Sequence, residues 1–438
     1  MKWITGKYLL FAIIFGGGLW SPSFFASDPA SSAEEERDSL RDAATAGDIQ
    51  SQKKLAYAYF FGQGRKQNVD QAVYWFRKAA DQGDADALYN LGVCSLFGYG
   101  VQENPYQAFE YFRESAAKGN AEAKLQMAKQ LTSGIPARES HDNPVPELKP
   151  DLRRAERLLR ELLQSMPESS EYKRELATIL LKRGSAALNG EIGLALHKEA
   201  VTLLTQTANT GDPAAMVLLA DCFFGGFGCD LDEEKGFSLL KQAMEANFAE
   251  AAARVGYCCE NGVGTAPDMN QAIAAYQIAA DAGIPMAQTR LGEAKLFGNG
   301  TPEDLEGAFK LFESAAQGGD AMGLYRVGYC LITGCGTKRD EIAGFETLQE
   351  AARREVAAAQ VMLGDQYKAG TIVEEDPEAA YYWYDRAARL GSKAGLRESG
   401  KCLLSGYGNP KNEAEGQNRL RAAAAAGDGE AKKILMMR

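Results

Sequence analysis

LYNLGVCSLFGYG, residues 88–100, decides the fold, because much of the chain repeats it. The small residue at Gly92 has counterparts at Ala56 and Ala128, and again at Ala220, Gly256, Gly292, Gly328, Gly364 and Gly400. Within each run the interval is 36 residues. The pair Gly98 and Gly100 keeps the same interval at Gly62/Gly64, then at Gly226/Gly228, Gly262/Gly264, Gly298/Gly300, Gly334/Gly336 and Gly406/Gly408. A fixed period of this length marks a solenoid, in which each unit buries its apolar side only against its neighbours.

One unit reads as two helices. From Asp86 to Phe97, Leu88, Leu91 and Ser95 recur at helical spacing, and Gly92 leaves room for a close neighbour. The Gly98-Tyr99-Gly100 turn stops that helix, since glycine adopts positive φ at little cost. A second helix starts near Pro105, where proline fits a first turn, carries Ala108, Tyr111, Phe112 and Ser115 on one face, and ends at Gly119. The large apolar position at Phe112 recurs at Phe76, Leu240, Tyr276, Phe312, Leu348, Tyr384 and Leu420. Large knobs facing small holes let helices approach to about 8–10 Å. No copy shows the period-two alternation of a strand, so the predicted fold is all-α.

The pattern resembles the Sel1-like repeat family, a relative of the tetratricopeptide repeat. ALYNLGVCSLFGYGVQENPYQAFEYFRESAAKG (87–119) and AAARVGYCCENGVGTAPDMNQAIAAYQIAADAG (251–283) carry the likeness, which spans about nine copies between Ile49 and Asp428. The resemblance implies an α/α solenoid of about ten helix-turn-helix repeats, wound as a right-handed superhelix. It also implies that the first helices line a concave face holding protein or peptide partners.

The ends and one interruption depart from the period. Lys2 and Lys7 precede an apolar run over 8–20 and small residues at Ser21, Ser23, Ala26 and Ser27, which predicts a signal peptide (1–26) and export to the periplasm or beyond. The alternative is an uncleaved N-terminal membrane anchor. Residues 27–48 read as a polar linker and a capping helix ending at Gly47, and 429–438 as a C-terminal cap. Regular repeats occupy 49–134 and 212–428. Between them lies a Pro-rich insertion (135–150, with Pro136, Pro144, Pro146 and Pro150), predicted to be an extended, mobile loop. It is followed by degenerate repeats without Gly-x-Gly turns (151–211). The whole array is predicted to form one elongated domain.

Composition narrows the function. A net charge of −11 argues against a nucleic-acid partner or an anionic membrane surface, both of which need a basic face. Cys94, Cys222, Cys258, Cys330 and Cys402 share one repeat position, where cysteine serves as a small hydrophobe. Successive copies lie too far apart for disulfides, which leaves Cys222–Cys229 and Cys330–Cys335 as the possible pairs. With no Cys-x-x-Cys and only His141 and His197, no metal site, cofactor site or acid–base centre is predicted. Some cysteine-rich relatives are described as penicillin-binding or β-lactamase-like, and Ser-x-x-Lys occurs here at Ser51/Lys54, Ser115/Lys118, Ser170/Lys173 and Ser238/Lys241. No Lys-Thr-Gly or Ser-Asp-Asn accompanies them, so β-lactam or cell-wall chemistry is the runner-up and no catalytic residue is assigned.

Surface recognition is the leading function, with a protein or peptide of the cell envelope as partner. The positions flanking the packing stripe of the first helices are the candidate partner-binding residues. They are Tyr57, Phe60, Phe61, Tyr89, Phe97, Phe224, Tyr257, Tyr325 and Tyr329, with the acids Asp221, Glu293 and Asp365 expected to favour basic groups on the partner.

Overall fold

The computed structural model describes residues 30–138 and 145–437. The predicted signal peptide, the tip of the insertion and His141 lie outside them. The described residues form 22 helices and no strand, so the fold is an all-α solenoid. After α1 (Ala30–Thr45) come the pairs α2 (Ile49–Phe61)/α3 (Val69–Asp81), α4 (Ala85–Phe97)/α5 (Pro105–Ala117), α6 (Ala121–Ser133)/α7 (Leu152–Ser165) and α8 (Ser170–Ser185)/α9 (Gly190–Asn209). Then follow α10 (Pro213–Gly225)/α11 (Glu233–Glu245), α12 (Ala249–Asn261)/α13 (Met269–Asp281), α14 (Pro285–Phe297)/α15 (Leu305–Gln317) and α16 (Ala321–Thr333)/α17 (Glu341–Arg353). The last pairs are α18 (Ala357–Ala369)/α19 (Pro377–Arg389) and α20 (Lys393–Ser405)/α21 (Glu413–Ala425), capped by α22 (Gly429–Met436).

Within a pair, the small residue of the first helix receives the large residue that follows it by 20 positions. A Cβ added at Gly92 would lie 2.5 Å from the Phe112 ring, at Gly256 2.5 Å from Tyr276, at Gly292 2.6 Å from Phe312 and at Gly364 2.5 Å from Tyr384. Where the large residue is leucine the fit is looser, 2.9 Å at Gly328 and 3.2 Å at Gly400. These knobs are the largest fully buried side chains, among them Tyr276, Tyr384, Phe76, Phe112 and Phe312.

The two glycines of each turn have different duties. The first ends the helix in the left-handed region, as at Gly98 (φ 69°) and Gly406 (φ 78°). The second lies against the first turn of the second helix in the preceding pair: a Cβ on Gly100 would sit 2.6 Å from the Val69 carbonyl oxygen, and one on Gly408 would overlap that of Pro377. That seam joins one pair to the next. Asn68, Asn104, Asp232, Asp268, Asp304, Asp340, Asp376 and Asn412 open the second helices as side-chain N-caps, continuing the 36-residue register.

The chain divides into two compact units. The first runs to Gly211 and takes in Phe227–Cys229; the second comprises Asp212–Gly226 and the chain from Asp230. The division falls at the end of the stretch without Gly-x-Gly turns. The insertion, expected to be mobile, is anchored at both ends: Ile135 pairs with Leu148 and Arg138 with Val145 as antiparallel bridges, and Ile135 and Val145 are buried. Arg138 also donates to the Glu103 carbonyl oxygen at 2.8 Å. Neither possible pair, Cys222/Cys229 or Cys330/Cys335, is a disulfide, and all eight cysteines carry thiols.

Candidate functional site

On a first helix, residues spaced by four, three and four share one face. On α12 these are Glu250, Arg254, Tyr257 and Asn261; on α14, Met286, Arg290, Glu293 and Phe297; on α16, Met322, Arg326, Tyr329 and Thr333. Several large apolar groups on this stripe meet solvent: Tyr257 is 47 % exposed, Phe297 56 %, Met286 39 % and Met322 39 %.

The sequence-derived candidates divide around this face. Asp221, Tyr257, Glu293, Tyr329 and Asp365 occupy it in the second unit, and Tyr57, Phe61 and Phe97 in the first. Tyr57 stacks on Phe61 at 6.4 Å and meets Phe76 edge-on at 5.2 Å, and Phe97 is exposed beside Tyr99. Tyr329 packs partly against the core around Phe312 and Cys330. The other four lie off the stripe and pack inward. Phe60 and Tyr89 are buried, Tyr89 against Phe112 at 5.7 Å. Phe224 fills the space over Gly236, and Tyr325 packs beside the core of α17 and α18.

Sequence reading missed the arginines that face the acids. Arg254 forms a short ion pair with Asp221, and Arg326 grips Glu293 through Nε (2.9 Å) and Nη2 (2.6 Å). Both pairs span 33 residues and so bind one first helix to the next. In the first unit the same rung is polar but uncharged, Asn90 Nδ2 donating to Tyr57 Oη at 2.7 Å. The signal was present, since Arg254, Arg290 and Arg326 follow the 36-residue period. Glu293 and Arg326 are each only 17 % exposed, and the guanidinium also lies over the rings of Phe297 (5.5 Å) and Tyr325 (5.2 Å). A two-bond guanidinium–carboxylate contact with stacked rings is a fixed element of structure. Glu293 is therefore held within the unit, whereas the Asp221–Arg254 pair remains partly exposed to solvent.

Asp365 is held differently. The residue in the arginine's place is Glu398, and Asp365 accepts instead from Tyr384 Oη at 2.7 Å. Burial, with Glu398 nearby, raises the Asp365 carboxyl above its ordinary value. Tyr276 Oη makes the matching bond to Glu260 at 2.6 Å.

Burial, reinforced by these carboxylates, pushes the Tyr276 and Tyr384 phenols far above the usual tyrosine range. Both phenols are neutral in folded and unfolded chains below about pH 10. Above it the unfolded chain ionises first and the folded chain retains its protons, so stability falls with rising pH. Each such phenol contributes a loss of about 1.4 kcal/mol per pH unit. Urea unfolding between pH 9 and 11.5 is expected to give a shallower alkaline decline for the Tyr276→Phe/Tyr384→Phe double variant than for the parent. Equal slopes refute the assignment.

Several groups with catalytic potential are buried or hydrogen-bonded within the fold. Burial raises the Cys94 and Cys330 thiols to about 12 and those of Cys258 and Cys402 to about 11, which keeps them protonated. In the Ser-x-x-Lys pairs, buried Ser115 donates to the Ala85 carbonyl oxygen at 2.7 Å and Lys173 pairs with Glu168 at 3.1 Å. His197 lies 3.2 Å from the Leu181 carbonyl oxygen, edge-on to Phe227. Among the described residues no group of three or more His, Cys, Asp or Glu side chains is placed to hold a metal, and no helix is long and apolar enough to cross a membrane.

The sequence matches the family described as Sel1 repeat over residues 49–84, 85–120, 213–248, 249–284, 285–320, 321–355 and 357–392, more than half of the chain. The pairs α6/α7, α8/α9 and α20/α21 fall outside those matches. A Sel1 repeat protein from Oxalobacter formigenes is similar at 27 % identity, with 56 % of this chain and 99 % of that one covered and a TM-score of 0.50. A protective antigen of uropathogenic Escherichia coli with an SLR fold shares 22 % identity over 90 % of this chain and 88 % of that one, TM-score 0.49. The cysteine-rich protein B of Helicobacter pylori shares 24 % identity over 30 % of this chain and 95 % of that one, TM-score 0.26. No curated protein matches the chain.

Proposed function

This chain belongs to the Sel1 repeat family, and from that premise we propose that it is a non-catalytic scaffold holding a protein or peptide partner against the stripe of its first helices. The mature protein acts outside the cytoplasm, in the periplasm or beyond, as the charged and then apolar N-terminus predicts, and its partner belongs to the cell envelope. One observation carries the binding reading. Asp221 of α10 and Glu293 of α14 are tied to Arg254 of α12 and Arg326 of α16, while Tyr257, Met286, Phe297 and Met322 stay exposed on the same stripe. Aromatic and thioether groups on a rigid helical wall are the material of binding hot spots.

Tyr257→Ala/Phe297→Ala tests this directly. Both side chains are exposed, so the folded state should survive, with an unchanged helical circular dichroism spectrum. Capture of the envelope partner on immobilised protein should weaken by about 30-fold or more, the loss of a hot spot worth roughly 2 kcal/mol. Tyr74→Ala and Tyr382→Ala, which remove exposed rings from second helices, should leave capture intact. The proposal fails if the double variant retains the same proteins as the parent, or if only the second-helix variants lose them.

A further inference from the structure

We propose that Cys330 and Cys335 are an oxidisable dithiol that closes into a disulfide across the C-terminal turn of α16. The helix ends at Gly334 in the left-handed conformation (φ 74°), and the Cys335 amide donates to the Cys330 carbonyl oxygen at 3.1 Å. This is the six-to-one bond of a Schellman turn, which brings the two flanking side chains together. Standard bond lengths put the Cys330 Cα about 2.4 Å from its own oxygen and the Cys335 Cα about 1.5 Å from its own nitrogen. With the 3.1 Å bond between them, the two Cα atoms lie within about 7 Å, the reach of a disulfide. Cys335 packs on the core cluster that contains Cys330.

The same turn closes other first helices with only one sulfur. Cys94 accepts from Tyr99, Cys258 from Val263 and Cys402 from Tyr407. At 330 and 335 both members are cysteine, and they differ in access: Cys330 is buried and Cys335 half-buried in the turn. Cys335 is therefore the entry point. Its thiolate attacks one sulfur of a small disulfide oxidant, breaking the oxidant's S–S bond and expelling one thiolate. The Cys330 sulfur, losing its proton to that thiolate or to solvent, then displaces the second thiolate from the mixed disulfide. Two S–H bonds become one S–S bond, and the oxidant is reduced to two thiols. The bridge would pin a turn whose next residue, Gly336, lies against the Leu305 backbone at the start of α15, stapling one helix pair to the next.

Trypsin releases both cysteines on one peptide, VGYCLITGCGTK (327–338), with no other cysteine in it. The full chain is incubated with oxidised glutathione, quenched, unfolded, alkylated and digested for mass spectrometry. The expected peptide is unalkylated and two hydrogens lighter than the reduced form, and prior reduction restores both alkylation sites. In Cys335→Ser, with folding checked by circular dichroism, Cys330 should remain a fully alkylatable thiol. The proposal is overturned if parent Cys330 and Cys335 both stay alkylatable, if glutathione persists on Cys335, or if Cys330 is oxidised equally in Cys335→Ser.

Discussion

Gly408→Ala is expected to destabilise the second unit by at least about 3 kcal/mol, while Gly406→Ala two residues away should cost only about 1–2 kcal/mol. Both glycines have positive φ, 78° at Gly406 and 68° at Gly408, so an L-residue pays the left-handed penalty at either. Their surroundings differ. A Cβ at Gly406 would meet nothing closer than the Lys411 Cβ at 3.5 Å, an ordinary contact. At Gly408 it would overlap the Pro377 carbonyl oxygen, and that oxygen belongs to the first turn of α19 and cannot swing aside like a flexible side chain. The turn has to withdraw, opening the seam between α18/α19 and α20/α21. In a solenoid this seam is the interface on which neighbouring repeats depend. Urea denaturation followed by far-ultraviolet circular dichroism measures both variants. Equal losses would mean that the second glycine serves turn conformation alone.

Phe312→Ala is expected to cost about 3–5 kcal/mol, the range for emptying a fully buried aromatic site. The ring is 0 % exposed and rests on the bare backbone at Gly292. The stronger test is its coupling to that glycine. Gly292→Ala alone pushes a methyl to 2.6 Å from the ring and should cost about 1–3 kcal/mol as overpacking. In the double variant the methyl enters space that the ring has left, so the two losses should not add. A coupling of about 1 kcal/mol or more in the double-mutant cycle is the expected result. Additivity within about 0.5 kcal/mol would show that knob and hole are not energetically one feature. The chain already tolerates alanine at this position elsewhere, at Ala56 opposite Phe76 and Ala220 opposite Leu240, so the backbone accommodates a methyl where its partner is placed for it.

By itself, the sequence determined what depends on local chemistry. Helix ends were legible because a Gly-x-Gly places two residues at positive φ, a choice made within a few bonds. The helix–turn–helix unit was legible because small and large apolar residues keep a 36-residue beat. The cysteine slot followed from the same beat. The family likeness was likewise carried by residues in register.

Only the tertiary structure decided which surfaces meet. Phe60 and Phe61 are neighbours in sequence, yet the first is buried and the second lies on the open stripe, because about 100° of helix rotation separates them and the adjoining repeat covers one side. Asp221 and Glu293 pair with Arg254 and Arg326, side chains 33 residues downstream whose contact is made between helices rather than within one. The division into two units lay equally beyond reading, because compactness depends on contacts among repeats that no local pattern encodes. Periodicity fixes each repeat from within, whereas exposure, pairing and compactness are set by what the next repeat places against it.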